Sequence, residues 1–477
     1  MLFLNSVALC ALALSGIASA RNVPIKKTIT GHIDPSEVFS FVYVPFEVEL
    51  GTTSIYVLQN YSAKGSGNAL DLGIFDQRGQ TLDAYRGWSG GFRNNFTITP
   101  SWATPGYNAG PVEPGTWNVV LGPYTSVPEG IDWQLEIEMG FDPVDSYFAV
   151  DSATMNFDSL CNGRCTEDGQ WLRGDLHIHT VYSDGRYTPD EQIEIALKQD
   201  LDFMFFSDHN TDSSNNIMGS FQDIAPDLLI GRGIEVTTRA GHFQALGLDP
   251  DQLVEWRYAD DESYTAAAKE IHRRGGFVSI NHPFASCPAC NWVFDNWEHN
   301  DAIEVWNAAW DAEDERAVEK WQELLVKGKF TTAIGGSDSH SPPSLNGIPT
   351  TVVRSRGKSQ AAIVEGMKAG HAYIVRGPGM EISFKVVLPS LLKLNTAEIG
   401  DKVKASTIGA TAVLSTKGFA GQKACLVTDR GYVYNTTVKG DGTVKRFVPI
   451  GSKFVRVEVR NSTDDAMLGM TNPVWFV

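Results

Sequence analysis

Positive charge is scarce in this chain. Its 477 residues include 39 Lys and Arg against 57 Asp and Glu, which gives a formal net charge of -18 at pH 7. Binding to a nucleic acid or to an anionic membrane surface requires a basic face. The imbalance therefore argues against a nucleic-acid partner, and bound divalent cations would offset part of the charge locally.

Long hydrophobic runs are absent after residue 20. The stretch MLFLNSVALCALALSGIASA, residues 1–20, is mostly apolar, but no later window approaches the roughly twenty apolar residues that span a bilayer. It ends in Ala18-Ser19-Ala20, which is typical of a cleavable secretory signal, although no Lys or Arg precedes the apolar run. We expect a signal peptide, a secreted mature protein and no membrane span. The alternative is a buried N-terminal strand or helix.

Cysteine is rare, with six residues, of which Cys10 would be lost with the signal. Four others lie in the short motifs CNGRC and CPAC: Cys161, Cys165, Cys287 and Cys290. In an oxidising compartment these four could form two disulfides, in a pairing that the sequence does not determine. A four-thiolate zinc site is the alternative. We expect Cys425, in KACLVTD, to be a buried free thiol.

Both ends of the mature chain have β character. Over residues 21–151, strand-length runs such as FSFVYVPFEVEL, SIYVLQNY and TWNVVLG are separated by Gly, Pro, Asn and Ser clusters, without a lasting helical period. This pattern predicts an antiparallel N-terminal β-sandwich. The runs ATAVLST, KACLVTD and FVRVEVRN predict a small C-terminal β domain over residues 381–477.

Over residues 170–380, short apolar strands alternate with amphipathic helices. In TPDEQIEIALKQ, Thr188 is placed to cap a helix, Pro189 is its first residue and Glu191 closes a capping box. SYTAAAKEIHRRGG and AEDERAVEKWQELLVKGK predict further helices that end at glycine. The alternation is typical of an α/β domain with a parallel sheet, open or closed into a barrel.

Potential metal ligands follow the apolar strands of this domain. LDFMFF runs into SDHN, GGFVSI into NHP and TTAIGG into SDSH, while GRGIEV carries a glutamate with GH beyond it; GDLHIHTVYSDG adds two histidines and an aspartate. Because the carboxyl ends of parallel strands lie at one face, we expect these side chains to meet. The candidates are His177, His179, Asp184, His209, Glu235, His242, His282, Asp338 and His340.

The chemistry of this set restricts the metal. Imidazole nitrogens mixed with carboxylate oxygens, without thiolates, suit zinc, manganese or iron rather than a structural zinc or a calcium ion. Nine ligands exceed the requirement of one ion, so we predict two to three divalent transition metals. The remaining histidines have no such pattern and are expected outside the site: His32, His272, His299 and His371.

Taken in order, these motifs resemble those of the PHP (polymerase and histidinol phosphatase) metallohydrolases. The stretches GDLHIHTVYSDG, SDHN, GHFQALGL, EVWN and GSDSH look most like the CehA/McbA-type branch, many of whose members are secreted and carry flanking β domains. The resemblance covers about residues 172–378. It implies a distorted seven-stranded, TIM-like β/α barrel with up to three metals at the carboxyl ends of its strands.

The resemblance also implies how the ligands are divided. A first metal would be held by His177, His179, Glu235 and Asp338. A second, bridged to it by Glu235, would be completed by His242 and His282. A third would be held by Asp184, His209 and His340.

The reaction that the resemblance implies is hydrolysis. Two cations bridged by Glu235 would lower the pKa of a shared water from roughly 16 to about 7, which makes hydroxide the nucleophile. Asp208 and Asn210 are candidates to orient His209 or a metal-bound water, although Asp208 could instead cap a turn.

Substrate contacts are harder to assign. Arg186 and Arg376 are candidates for binding phosphate, or are solvated surface charges, and Asn307 and Trp306 should face the same end of the barrel. Trp292 and Trp297 could line a pocket for an apolar leaving group or only pack their loop.

We therefore expect a secreted metal-dependent phosphoesterase that acts on phosphomonoesters or small phosphodiesters. A carbamate, ester or amide hydrolase with the same cluster is the alternative, since the CehA/McbA resemblance includes carbamate hydrolysis. An alternative of another class is a glycan- or surface-binding protein that works through the N-terminal sandwich. In that case the barrel would be a degenerate scaffold, which the nine filled ligand positions argue against.

Overall fold

The computed structural model describes residues 23–151, 169–389, 395–404, 406–440 and 442–477. The expected signal peptide lies outside these ranges, as do Cys161 and Cys165. Among the helices of the described residues, none combines the length and apolar character that a bilayer crossing requires.

The N-terminal part is the expected antiparallel sandwich. One sheet has the order β1 (Ile25–Ile33), β8 (Ile131–Gly140), β3 (Ser54–Tyr61), β6 (Asn95–Ile98). The other has the order β2 (Val42–Val48), β7 (Gly115–Thr125), β4 (Ala69–Phe75), β5 (Tyr85–Trp88). Apolar residues alternate along the strands, as Leu135, Ile137 and Met139 do in β8, and they fill the space between the sheets.

One curled sheet organises the central part. Within the described residues its spatial order is β15 (Thr332–Gly336), β14 (Ala302–Asn307), β13 (Phe277–Ile280), β12 (Gly241–Leu246), β11 (Leu229–Thr238), β10 (Phe203–Phe206), β9 (Gln170–Asp175), β16 (Thr350–Ser355), β17 (Ala372–Val375). Seven of these strands run in one direction, while β12 and β16 run against their neighbours. The sheet therefore contains the seven co-directional strands expected of a distorted barrel, but with β12 and β16 it has nine strands and is mixed, not wholly parallel.

The helices of the described residues are α1 (Pro189–Lys198), α2 (Met218–Gln222), α3 (Asp261–Arg273), α4 (Ala312–Val326) and α5 (Gln360–Lys368). Thr188 and Glu191 form the capping box that the sequence predicts for α1. Helix α4 buries Trp321 and Leu325, which lie one turn apart and pack on the sheet.

The curled sheet closes where β15 approaches β16 and β17, and side chains connect the strands at this seam. The amide of Gly335 in β15 donates to Oγ1 of Thr351 at 2.9 Å, and that hydroxyl donates to the carbonyl of Gly335 at 2.7 Å. Asn472 accepts from the amide of Ala333 at 2.8 Å and donates to the carbonyls of Ala333 and Ala372, both at 2.9 Å. A threonine and an asparagine thus take the place of a backbone ladder at this seam.

The C-terminal β domain shares its sheet with the barrel. Beyond β17 the sheet continues through β26 (Met467–Thr471), β25 (Phe454–Arg460), β22 (Lys423–Thr428) and β23 (Gly431–Thr437), and β20 (Lys402–Val403) and β27 (Val474–Phe476) lie off this path. A second antiparallel sheet of β19 (Asn395–Glu398), β18 (Glu381–Leu388), β21 (Thr411–Lys417) and β24 (Thr443–Phe447) packs against it.

The CPAC motif forms a disulfide. Cys287 and Cys290 are bonded to each other in the loop after β13. The four-thiolate zinc alternative is therefore wrong, because neither sulfur of this motif is a thiolate. Cys425 is a buried free thiol in β22, as expected.

Candidate metal centre

The nine candidate ligands meet at the carboxyl ends of the barrel strands. Their ligand atoms form four overlapping groups, and the atoms of one group all lie within 4.8 Å of one another. The groups are His179, Asp184, His209 and His340; His177, Glu235 and His282; His177, His179 and Asp338; and His209, Glu235 and His242. His242 reaches this face in a different way from the others. It lies near the start of β12, and because β12 runs in reverse, its first residues are at the end where the neighbouring strands finish.

Four ligand atoms face one another at the centre. Nε2 of His177 lies 3.0 Å from Nε2 of His179, and each nitrogen is 3.2 or 3.3 Å from Oε2 of Glu235 and from Oδ1 of Asp338. Around a tetrahedral zinc with bonds of about 2.0 Å, ligand atoms are roughly 3.3 Å apart. The separations of the two nitrogens from each other and from the two carboxylate oxygens are in this range.

The other ring nitrogen of His177 determines which atom faces the centre. Nδ1 lies 2.9 Å from Oε1 of the buried Glu304, a carboxylate that can only accept a hydrogen bond. In the neutral ring the proton therefore sits on Nδ1, and Nε2 presents a lone pair to the oxygens of Glu235 and Asp338. A cation between these electron-rich atoms would remove their mutual repulsion, so the set fits a divalent metal.

The same carboxylates control protonation of the two histidines. Burial by itself lowers the pKa of His177, but the charges of Asp338, Glu235 and Glu304 hold that pKa well above its usual value. For His179, bonds to Asp338 and Glu235 outweigh burial and raise the pKa to about 10. Protons and metal ions thus compete for these nitrogens, and metal binding releases protons.

Glu235 joins the central set to a second group. Its Oε1 lies 3.0 Å from Nε2 of His282 and 3.3 Å from Nδ1 of His242, and it accepts a hydrogen bond of 2.8 Å from Nδ2 of Asn281. Both ring nitrogens of His242 and Nδ1 of His282 are buried without a hydrogen-bond partner among the described residues. Such atoms cost about 1–3 kcal/mol each, and ligation of His242 would remove that cost.

Asp184 lies beside two histidines and forms with them a third group of candidate metal ligands. Its Oδ1 lies 3.3 Å from Nε2 of His340 and 3.6 Å from Nε2 of His209, and it has no hydrogen-bond partner within the described parts of the chain. Nδ1 of His209 lies 2.5 Å from Oγ1 of Thr237, which leaves Nε2 directed at Asp184. Burial lowers the pKa of His209 to about 3, so this ring is neutral and able to bind a metal.

The backbone is left-handed at several of the strand ends. Asn210 has φ 51°, His282 has φ 23° and Asp338 has φ 48°. Each such residue costs roughly 1–2 kcal/mol, and conformations of this kind concentrate at functional sites. Here they turn the chain sharply, so that His282 and Asp338 point into the centre.

The structure gives Asp208 and Asn210 distinct surroundings. Asp208 is buried, and its carboxylate accepts hydrogen bonds from the amide and hydroxyl of Thr180 and from the hydroxyl of Ser183. It thereby fixes the loop that carries His179. Asn210 lines the cavity above the site, and its side chain exchanges two hydrogen bonds with the backbone of Thr237.

Of the residues predicted to contact the substrate, some line the cavity and others do not. Asn307 lines the cavity and donates to Glu304 at 3.1 Å and to Asp338 at 3.3 Å. Arg186 and Arg376 are exposed and do not belong to the cavity lining, so substrate binding by either stays a prediction. Trp292, Trp297 and Trp306 do not line the cavity either. Trp292 contacts Tyr264 and Phe294, and Trp306 contacts Trp310, which favours the packing interpretation.

Two buried carboxylates that support the centre were missed from the sequence. Asp175, the last residue of β9, accepts hydrogen bonds from the amides of His177, Ser337 and Gly347 at 3.1, 3.1 and 2.6 Å. Glu304 holds His177. The available signal was a lone carboxylate inside an apolar strand, as in AIEVW, because a charge in such a place needs a partner.

Replacing Glu304 by glutamine is expected to weaken metal binding by about 10- to 100-fold. The glutamine side chain can present its amide NH₂ to Nδ1 of His177, which would favour the wrong tautomer. Competition with a chelator of known affinity measures the change, and Glu319→Gln, on the neighbouring helix α4, serves as the surface control. Unchanged metal affinity would show that His177 needs no partner to be oriented.

A cavity of about 680 Å³ opens over the metal-ligand candidates. The barrel contributes residues such as His209, Glu235 and Asp338, and the N-terminal sandwich contributes Trp88 and Tyr124. A volume of this size suits a small-molecule ligand. The sandwich is therefore part of the wall of the site.

No family model matches the chain, and no curated protein sequence matches it. Among solved structures, it is similar to a two-domain protein from Bacteroides vulgatus whose name includes a predicted PHP-like metal-dependent phosphoesterase. That pair has 18% identity, 70% of this chain and 100% of that chain covered, and a TM-score of 0.36.

Two further likenesses cover 36% of this chain. One is to a protein from Bifidobacterium adolescentis whose name proposes a metal-dependent phosphoesterase, with 18% identity, 92% of that chain covered and a TM-score of 0.26. The other is to an amidohydrolase from Chromobacterium violaceum with bound sulfate and no metal, with 16% identity, 88% of that chain covered and a TM-score of 0.26. Since all three TM-scores lie below 0.5, the proposals below depend on the residues of this chain.

Proposed function

We propose that this protein is a secreted metal-dependent phosphoesterase of the PHP superfamily, of the CehA/McbA-type branch, acting on phosphomonoesters or small phosphodiesters. The observation that carries the proposal is the central ligand set of His177, His179, Glu235 and Asp338, whose two ring nitrogens lie 3.0 Å apart and 3.2 or 3.3 Å from the two carboxylate oxygens. Secretion rests on residues 1–20 and is supported by the sequence alone.

Each proposed ligand keeps the assignment that the resemblance to the PHP metallohydrolases implies. His177, His179, Glu235 and Asp338 would hold the first metal, and Glu235 would bridge to a second at His242 and His282. Asp184, His209 and His340 would hold a third. Bound divalent cations supply a Lewis acid and lower the pKa of water enough to give a nucleophile at neutral pH.

The residues of the chain supply positioning for this reaction. Asn281 holds one oxygen of Glu235 by a hydrogen bond of 2.8 Å, and Glu304 holds His177. Asn307 contacts both Glu304 and Asp338 and lines the cavity, so we keep it as a substrate-binding candidate. The sandwich forms one side of the cavity wall through residues such as Trp88 and Tyr124.

Carbamate, ester or amide hydrolysis is the second candidate. It is favoured by the aromatic part of the cavity wall, where the exposed Phe92 and the half-buried Tyr124 offer apolar surface to an aromatic leaving group. The same ligand set serves either reaction, so the substrates decide between them.

The test combines metal content with paired substrates. The mature chain, purified without chelator, is expected to hold two or three transition-metal ions by elemental analysis, and fewer in His177→Ala. It is expected to hydrolyse an aryl phosphate faster than an aryl carbamate, whereas the reverse order would favour the second candidate. Failure to bind zinc, manganese or iron after reconstitution would overturn both.

A further inference from the structure

An ion pair between the barrel and the sandwich lies in the wall of the cavity. Arg239 follows the last residue of β11, at the tip of the hairpin that β11 forms with β12. Its Nη2 lies 2.9 Å from Oδ2 of Asp71 in β4, and only 7% of the Arg239 side chain and 11% of the Asp71 side chain are exposed. Both residues line the cavity over the metal-ligand candidates.

The guanidinium of Arg239 is enclosed but incompletely bonded. Its centre lies 5.8, 5.1 and 5.0 Å from the rings of Phe39, Phe41 and Tyr124. Nε is buried and has no hydrogen-bond partner among the described residues. A buried cationic donor without an acceptor is unfavourable, and a carboxylate or phosphate oxygen would satisfy it.

The surrounding backbone leaves room for this arginine. A Cβ atom at Gly122 in β7 would lie 2.7 Å from Nη2 of Arg239 and 3.1 Å from Oδ2 of Asp71. Any side chain at this position would displace the pair. The absence of a side chain at residue 122 is therefore a condition for Arg239 to lie where it does.

The guanidinium of Arg239 faces the sandwich. Its ion pair and ring contacts are with Asp71, Phe39, Phe41 and Tyr124, all in the sandwich. An anion that it binds would therefore lie on the sandwich side of the cavity, whereas the candidate metal ligands lie at the ends of the barrel strands.

We propose that the substrate carries a second anionic group, a carboxylate or a phosphate, which Arg239 binds at the boundary between sandwich and barrel. This inference rests on the proposed hydrolase function and specifies its substrate class. Asp71 is a positioning residue that holds the guanidinium against the wall. The N-terminal sandwich then selects substrates by their remote charge.

The test uses phosphonates, which a phosphoesterase cannot hydrolyse. Binding of ω-carboxyalkylphosphonates of increasing chain length is compared with that of alkylphosphonates of the same length, by calorimetry on the metal-loaded full chain. At the matching length we expect the carboxylate to tighten binding by about tenfold or more. Arg239→Gln should abolish this preference without changing metal content, and Gly122→Ala, which crowds the guanidinium but keeps its charge, should reduce it.

Arg257→Gln is the matched control. Arg257 also joins barrel to sandwich, because Nη1 donates to the carbonyl of Gln80 at 2.8 Å and the guanidinium lies 4.6 Å from the ring of Phe75, but it does not belong to the cavity lining. This variant should keep the preference for the carboxylate.

The outcomes separate this inference from the proposed function. Absence of a carboxylate preference at every length, its persistence in Arg239→Gln, or its equal loss in Arg257→Gln would each overturn the inference. An Arg239-dependent preference in a chain that hydrolyses neither esters nor carbamates would support the anion site and reject the hydrolase.

Discussion

Replacing Glu235 by glutamine is expected to lower kcat/KM by at least about 1000-fold, which corresponds to about 4 kcal/mol of lost transition-state stabilisation. Glu235 is buried, and its two oxygens face different histidines. Oε2 lies 3.2 Å from Nε2 of both His177 and His179 and 3.1 Å from Nδ1 of His209, while Oε1 faces His242 and His282. A neutral amide removes the charge that both groups share.

Elemental analysis and steady-state kinetics on the same preparation measure this effect. The variant should lose at least one metal ion per chain together with its activity. Glu194→Gln, at an exposed residue of α1 that pairs with Lys198, controls for removal of one negative charge and should behave as wild type. A Glu235→Gln protein with full metal content and full activity would show that this carboxylate does not bridge.

Replacing Asp175 by alanine is expected to lower the free energy of unfolding by about 3 kcal/mol or more. The carboxylate of Asp175 accepts hydrogen bonds from the amides of His177, Ser337 and Gly347, and it is fully buried. Each buried amide left without an acceptor costs about 1–3 kcal/mol. The loss should appear in the urea transition of the barrel, and metal affinity should fall with it because the amide of His177 is one of the three.

An exposed carboxylate provides the comparison for Asp175. Asp227→Ala removes a carboxylate from the surface and should change the free energy of unfolding by less than about 0.5 kcal/mol. A loss below about 1 kcal/mol in Asp175→Ala would indicate that water reaches the three amides and replaces the carboxylate.

The proximity of the nine metal-ligand candidates was predictable from the sequence because local signals indicated it. Runs such as FMFF, FVSI and TAIGG are too apolar and too short to be anything but buried strands, and the polar residues just after them had to lie at one face. The capping box of Thr188 and Glu191 likewise marked the start of α1. These are interactions between residues close in the chain.

Other features depend on distant parts of the chain, and no local pattern indicates them. The hairpin of β11 and β12 reverses one strand, and since every residue of GHFQAL is buried, its pattern does not reveal the direction. Arg239 meets Asp71 across 168 positions, from a different domain. The arginines chosen from the sequence, Arg186 and Arg376, are exposed, whereas the one in the cavity lies in a turn that had no phosphate-binding pattern.

The seam of the barrel has a consequence for how the chain can be divided. Asn472, which bonds both Ala333 and Ala372, comes after β26, and β26 pairs along β17. A chain that stopped near residue 380 would leave β17 as an open edge strand and remove the asparagine that bridges the seam. Open edges of this kind pair with other molecules. The last hundred residues therefore cover this edge of the barrel, and shortening the protein to the barrel alone would invite aggregation.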